Sequence, residues 1–309
     1  MALSSEDTHV SSLTAPVQET PTVGLPEEPS VTEAELRFAA DALARTLRLE
    51  APGQHSDAAA QYLDGLRARL KAATPMWKQG TSTTELTPKL ELVESVRMFE
   101  SAAPKGDSGA GMYRDVPLAA LPPAGNLPQV IHIAGSYLAA ADGIWSRASL
   151  AIFMDQVQKH EPLLLREIQL LPDALKVAQL EFILNRADKV FASGEMPPIE
   201  RSPFSAPIHS LRRMNQIEWR EVLEPLIVFD AALRQDPVGA YAAMEEETRA
   251  SYRVRVAELA RHSDTSELQT AQVALELAQA ASESIMAMLG WRGASRTSAT
   301  TWLRMAFAN

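Results

Sequence analysis

Few residues of this 309-residue chain could do chemistry, and each stands in a context that speaks for a structural role. Gly106-Asp107-Ser108-Gly109 copies the glycine-lined turn in which a serine protease exposes its nucleophile to a histidine base. The text around it is helical and lacks a β-barrel pattern, so a flexible loop is expected there. Glu6 and His9 have the Glu-x-x-His spacing that sets two metal ligands on one helical face, yet they fall in a leader that reads as disordered. His132 and His209 lie within or beside apolar helices, where a hydrogen-bonded core or interface histidine is the expected role. Glu245-Glu246-Glu247 would make an acidic cradle only if adjacent residues faced one way. A helix forbids that, and the run reads as a solvated helix start favoured by the helix dipole. Trp219 with Arg220 offers an aromatic face for a sugar, against the alternative that Trp219 anchors its helix with Leu223 and Leu226. Neither a Walker lysine nor a dinucleotide-type glycine turn occurs. The expectation is a chain without catalytic residues, metal ligands or cofactor.

Composition narrows the class. Alanine, leucine and glutamate abound and aromatics make up only 6%, which favours helix over sheet. The formal net charge of −10 leaves no basic footprint for nucleic acid, so that partner is excluded. The absence of cysteine rules out disulfides and thiolate metal sites and suits a cytoplasmic protein. No apolar run approaches the ~20 residues of a membrane-spanning helix. Residues 1–30 carry five acids and no Lys or Arg among repeated Ser, Thr and Pro, and read as a disordered acidic leader.

The periodicity predicts an all-α protein of roughly ten amphipathic helices in an antiparallel array. Thr32-Glu33-Ala34-Glu35 is a capping box that opens a helix burying Leu36, Ala40, Leu43 and Leu47. Ser56 caps a second helix with Tyr62, Leu63, Leu66 and Leu70, and Thr87-Pro88 opens a third through Leu92, Val96 and Phe99. Residues 103–127, rich in Pro and Gly, read as a long loop, after which Leu127-Pro128 begins a helix ending at Gly143. Ser146 caps a helix carrying Leu150, Phe153, Met154 and Val157. A short helix over Pro162 to Leu171 precedes one begun by Pro172-Asp173, with Leu175, Val177, Leu180, Ile183 and Leu184 inside. Four prolines between Met196 and Pro207 mark a linker that divides helical regions at 31–195 and 208–285. In the second region Asp236 is expected to cap a helix with Pro237 at its first position. Tyr241, Met244, Tyr252, Val256 and Leu259 would form its buried face. Ser263 to Glu267 then resets the chain before Leu268, Val273, Leu275 and Leu277.

The wording of this second region resembles the segment preceding the glucosyltransferase domain in cyclic β-1,2-glucan synthases and their large bacterial relatives. The resemblance is carried by Ser210-Leu211-Arg212 with Ile217-Glu218-Trp219-Arg220 and by Leu233-Arg234-Gln235-Asp236-Pro237-Val238-Gly239-Ala240-Tyr241 with Met244. Thr248-Arg249, Tyr252-Arg253 and Ser266-Glu267-Leu268 continue it. Upstream, Asp142-Gly143 and the run from Pro162-Leu163 through Glu167 to Leu171-Pro172 agree, with Arg166 standing where the family has glycine and Gln169 where it has tryptophan. The resemblance spans roughly residues 85 to 280 and implies a non-catalytic helical region. The parent enzyme would transfer glucose from UDP-glucose to β-1,2-glucan at the bacterial inner membrane. The partner would be the parent's transferase domain, and Trp219, Arg220, Asp236, Pro237, Tyr241 and Tyr252 are its structural or interface residues. An independent helical scaffold for another protein is the alternative; a helical-toroid glycoside hydrolase is a third, for which aromatics are thin.

Residues 286–309 depart from this text. They hold no acidic residue, three arginines and two of the five tryptophans, which suggests either an out-of-frame or truncated end or a short amphipathic tail.

Overall fold

The computed structural model describes residues 28–50, 57–79, 88–103, 111–114, 116–122, 125–194, 202–236 and 239–289, with side chains through residue 281. The leader pair Glu6 and His9, the Gly106 to Gly109 turn, the caps Ser56 and Thr87, Pro237, and the tail from 290 lie outside these residues. The architecture is all-α with one small sheet.

Helix α1 (Glu33–Thr46) starts on the expected capping box. The Glu35 amide donates to Thr32 Oγ1 at 3.3 Å and the Thr32 amide to Glu35 Oε2 at 2.8 Å, so two free donors of the first turn are satisfied reciprocally. Strand β1 (Arg48–Leu49) follows, then α2 (Ala58–Lys78), with Leu63, Leu66 and Leu70 on its buried side. The predicted third helix is split at Ser95 into α3 (Pro88–Glu94) and α4 (Val96–Ala102), and still buries Leu92 and Phe99.

The stretch expected to be a loop to residue 127 contains a hairpin, β2 (Leu118–Leu121) and β3 (Gly125–Pro128). All three strands pair antiparallel in the order β1, β2, β3, with Leu118 opposite Pro128 and Leu121 opposite Gly125. Gly125 has φ +83°, a backbone conformation that a side chain disfavours. The hairpin was illegible because strands of four residues among prolines show no alternation to read.

Strand β3 runs directly into α5 (Gln129–Ala140), and Ser146 then caps α6 (Arg147–Gln158), its Oγ accepting the Ser149 amide at 3.1 Å. The two helices expected on either side of Pro172 are one, α7 (Leu165–Ser193). Proline inside a helix costs roughly 3 kcal/mol. Here Leu170, Leu171, Ala174 and Leu175, flanking it on both sides, are all buried in the same core, and that burial offsets the cost. Helix α7 packs along α5 as the centre of the molecule, while α1 covers α6 and α5. Between α5 and α6 the chain reverses at Asp142 (φ 51°) and Gly143 (φ 75°). A Cβ on Gly143 would enter the ring of Phe182, so glycine is required by backbone and by space alike.

Beyond the proline-rich stretch come α8 (Ser205–Gln216), α9 (Trp219–Leu223), a 3-10 turn (Glu224–Leu226) and α10 (Val228–Leu233). Pro207 belongs to the first turn of α8, where its missing N–H is harmless, so this helix begins inside the expected linker. Helices α11 (Glu246–Arg261) and α12 (Glu267–Leu289) pack on each other, and α12 packs on α10. No helix begins at Asp236 in the described residues; 239–244 is a series of turns. Asp236 Oδ2 instead accepts the Tyr241 amide at 2.9 Å, holding that turn closed. The reset before α12 is a second capping box: the Gln269 amide donates to Ser266 Oγ at 3.1 Å, and the Ser266 amide to Gln269 Oε1 at 3.0 Å. No described helix is long and apolar enough to cross a membrane.

Candidate functional site

Among the described residues, a buried cluster of charge joins α10 and α11. Three arginines, Arg234, Arg249 and Arg253, face three carboxylates, Glu224, Asp230 and Glu246. Asp230 and Arg253 are at its centre, only 2% and 5% exposed. Arg253 Nη1 donates to Asp230 Oδ1 at 3.1 Å, and Arg234 Nε to Asp230 Oδ2 at 2.7 Å. Arg253 Nη2 also bonds Glu246 Oε1, while Arg249 Nη2 reaches Glu246 Oε2 at 2.7 Å and Glu224 Oε1 at 3.1 Å. Arg234 Nη2 closes the circuit onto Glu224.

Helical spacing assembles it. Asp230 and Arg234 are four apart on α10, while Glu246, Arg249 and Arg253 fall three and four apart on α11, so each set shares a face. Tyr241, in the intervening turn, donates its hydroxyl to Asp230 Oδ1 at 2.5 Å and packs edge-on against Tyr252, with centroids 6.2 Å apart. Burial, with Asp230 beside it, raises the Tyr241 hydroxyl far above its ordinary range. Burial also pushes Glu246 up, but the Arg253 charge and the bonds from Arg253 and Arg249 outweigh it and hold the carboxyl below its usual value. The resulting stabilisation is present above pH 4.5, the ordinary value, and is lost as pH falls through the depressed one. The Asp230 bond and charge raise the Arg234 guanidinium against the opposing effect of burial.

Such a circuit is self-satisfying. Each carboxylate is matched by a guanidinium, Arg249 Nη1 also donates to the Met244 carbonyl at 2.8 Å, and the tyrosine hydroxyl is fixed as a donor. Its chemistry is that of a structural lock, since breaking one member strands a buried charge.

A second joint surrounds Trp145, which is 2% exposed. Its backbone N–H donates to Ser210 Oγ at 2.7 Å, its ring meets Trp219 at 5.5 Å between centroids, and the Arg213 guanidinium lies over it at 5.6 Å. A surface groove of about 280 Å³ is lined by Met76, Trp77, Gln79, Lys89, Val190, Phe191 and Gly194, with Lys89 Nζ 5.8 Å from the Phe191 ring centre.

No protein-family model matches this chain. No curated protein is significantly similar to it either.

The residues singled out in the sequence divide in two. Tyr241, Tyr252 and Asp236 come together at the lock, and Trp219 belongs to the Trp145 joint. Trp219 is half-buried at the rim of the core, its indole N–H donating to the Met214 carbonyl at 2.9 Å, so it caps the core edge rather than filling the interior. Arg220 is exposed. Leu259, Val273 and Leu277, expected inside, are 40%, 49% and 62% exposed, because α11 and α12 bury narrower faces than their apolar spacing suggested. His132 is buried, with Nε2 3.0 Å from the Ala119 carbonyl oxygen of β2, and burial lowers its pKa. His209 is half-buried. In the Glu245 to Glu247 run the outer two are exposed as expected, but Glu246 turns inward to Arg249 and Arg253. Glu224 and Asp230 were not singled out in the sequence, and Arg234, Arg249 and Arg253 entered only through the resemblance, with no pairing expected; the four-residue spacings Asp230/Arg234 and Arg249/Arg253 were the available signal.

Proposed function

We propose that this chain is a non-catalytic helical region of a cyclic β-1,2-glucan synthase-like protein, one that holds the glucosyltransferase domain of its parent. One observation carries the reading. Seven residues of the resemblance, Arg234, Asp236, Tyr241, Met244, Arg249, Tyr252 and Arg253, supply the three guanidiniums and the closing turn of the buried lock, whose carboxylates Glu224, Asp230 and Glu246 are not among the residues that carry the resemblance. Ser210, Trp219 and Asp142-Gly143, from the same text, sit at the Trp145 joint and the α5–α6 reversal. Text that specifies helix joints suits a rigid support for a neighbouring domain. Transfer from UDP-glucose, by contrast, requires acids for a divalent cation and donors for the diphosphate, conventionally on parallel α/β elements.

The test is reconstitution. A cyclic β-1,2-glucan synthase deleted for its own pre-transferase region should regain glucose incorporation from UDP-glucose when this chain is fused in its place, while the chain alone should bind no UDP-glucose in titration calorimetry. Saturable 1:1 binding to the isolated chain, or a fusion that folds and stays inactive, would overturn the reading.

A second reading, an independent scaffold for a protein partner, is favoured by the uncovered apolar side chains Val254 and Leu259 on α11 and Val273 and Leu277 on α12.

A further inference from the structure

The start of α7 and the start of α12 meet through carboxyl groups. Glu267, the first residue of α12 and only 8% exposed, reaches across to accept the Leu165 amide of α7 at 2.8 Å. Two residues along α7, Glu167 is 1% exposed; its Oε2 accepts the Leu164 amide at 3.0 Å, and its Oε1 is buried without a hydrogen-bond partner. Both carboxyls therefore crowd the same helix opening, one from each element, and an ionised Glu167 would leave a charged oxygen unsolvated.

The surrounding charges do not relieve this. Those acting on Glu167 are the carboxyls of Glu161 and Glu267. Arg166 turns its guanidinium to the Met112 carbonyl at 3.1 Å, and His160 is bonded to Asp41 at 2.8 Å. Asp230, Arg234 and Arg253 of α10 and α11 are engaged in the lock, while Arg261, His262 and Asp264, before α12, are exposed.

We propose that Glu167 and Glu267 form a protonation-sensitive latch, which docks α12 against the start of α7 while the two carboxyls are neutral and loosens it when they ionise. Burial pushes Glu167 up to about 8, helped by Glu161 and Glu267 and opposed by the Leu164 amide. Burial likewise raises Glu267 to about 7 against the Leu165 amide. In the undocked state both return towards their ordinary value of 4.5. The docked form thus holds more protons, so docking is strongest below pH 4.5 and weakens as pH rises through 7 and 8. This inference does not depend on the family reading.

Hydrogen–deuterium exchange of the full chain at pH 5.5, 7.0 and 8.5, corrected for intrinsic rates, tests it. In the wild type, the opening constant of amides 268–281 should rise at least about tenfold across that range, and in the E167Q/E267Q variant it should stay flat. Glu267→Gln alone keeps an oxygen for the Leu165 amide, so it is the milder change, and it should remove about two-fifths of the slope. A wild-type opening constant independent of pH would overturn the latch. So would Gln variants with the wild-type slope, or a loss of protection spread equally over the amides of α5.

Discussion

The α5–α7 centre and the α10–α11 junction are both buried, yet they are held by opposite means. Along α5 and α7, Val130, Ile133, Leu138, Leu175, Leu180 and Ile183 are all nearly solvent-free and belong to one apolar core. At α10–α11 the centre of the contact is an aspartate bonded to two arginines and a tyrosine. An apolar contact degrades in proportion to the area and volume removed, because the surrounding atoms partly relax. An ionic contact is nearly all-or-none: the desolvation of each charge is offset only while its partners remain. The first kind of interface supplies stability, and the second ties one register of two helices to one another.

The largest effect should follow from breaking the ionic side. Arg253→Met takes one of two guanidiniums from each of the buried carboxylates Asp230 and Glu246, leaving them Arg234 and Arg249, and should lower unfolding free energy by about 3–5 kcal/mol in urea titration, with exchange protection lost first in α10 and α11. A cost under about 1 kcal/mol would show that water reaches these charges and that the contrast is false. On the apolar side, Leu180→Ala should cost about 2–5 kcal/mol, and unlike the arginine change it should lower protection throughout α5 and α7. The smallest change is at the rim: Trp219→Ala removes a half-buried ring and its contact with Trp145, for about 1–2 kcal/mol, and should shift the remaining tryptophan fluorescence to the red. A loss as large as that at Leu180 would place Trp219 among the core anchors after all.

How much of this was legible depended on whether the signal was local. The Thr32 and Ser146 caps were readable because a cap needs only residues three apart. The faces of α1, α2 and α6 were readable because their apolar spacing repeats over several turns. Pro172 misled because the rule against interior proline is local while its remedy, burial of both flanks in one core, is not. Asp236 misled in the same way: an acid before proline is a good cap, but here its carboxylate closes a turn onto Tyr241, five residues on. Glu246 could be placed at a helix start from sequence, yet its inward aim depends on Arg253 facing Asp230 across a different helix.

By itself, then, the sequence determined the class of the protein. Alanine- and leucine-rich periodic text with few aromatics forms amphipathic helices, since propensity and pattern act within a few turns of chain. The tertiary structure alone decided which charged residues pair, that strands 118–121 and 125–128 join residues 48–49 in a sheet, and that Glu267 meets the start of the helix holding Glu167, 100 residues earlier. Those contacts join residues with no fixed spacing in the chain. Their energies come from desolvation and pairing in a common interior, which no local window of sequence contains.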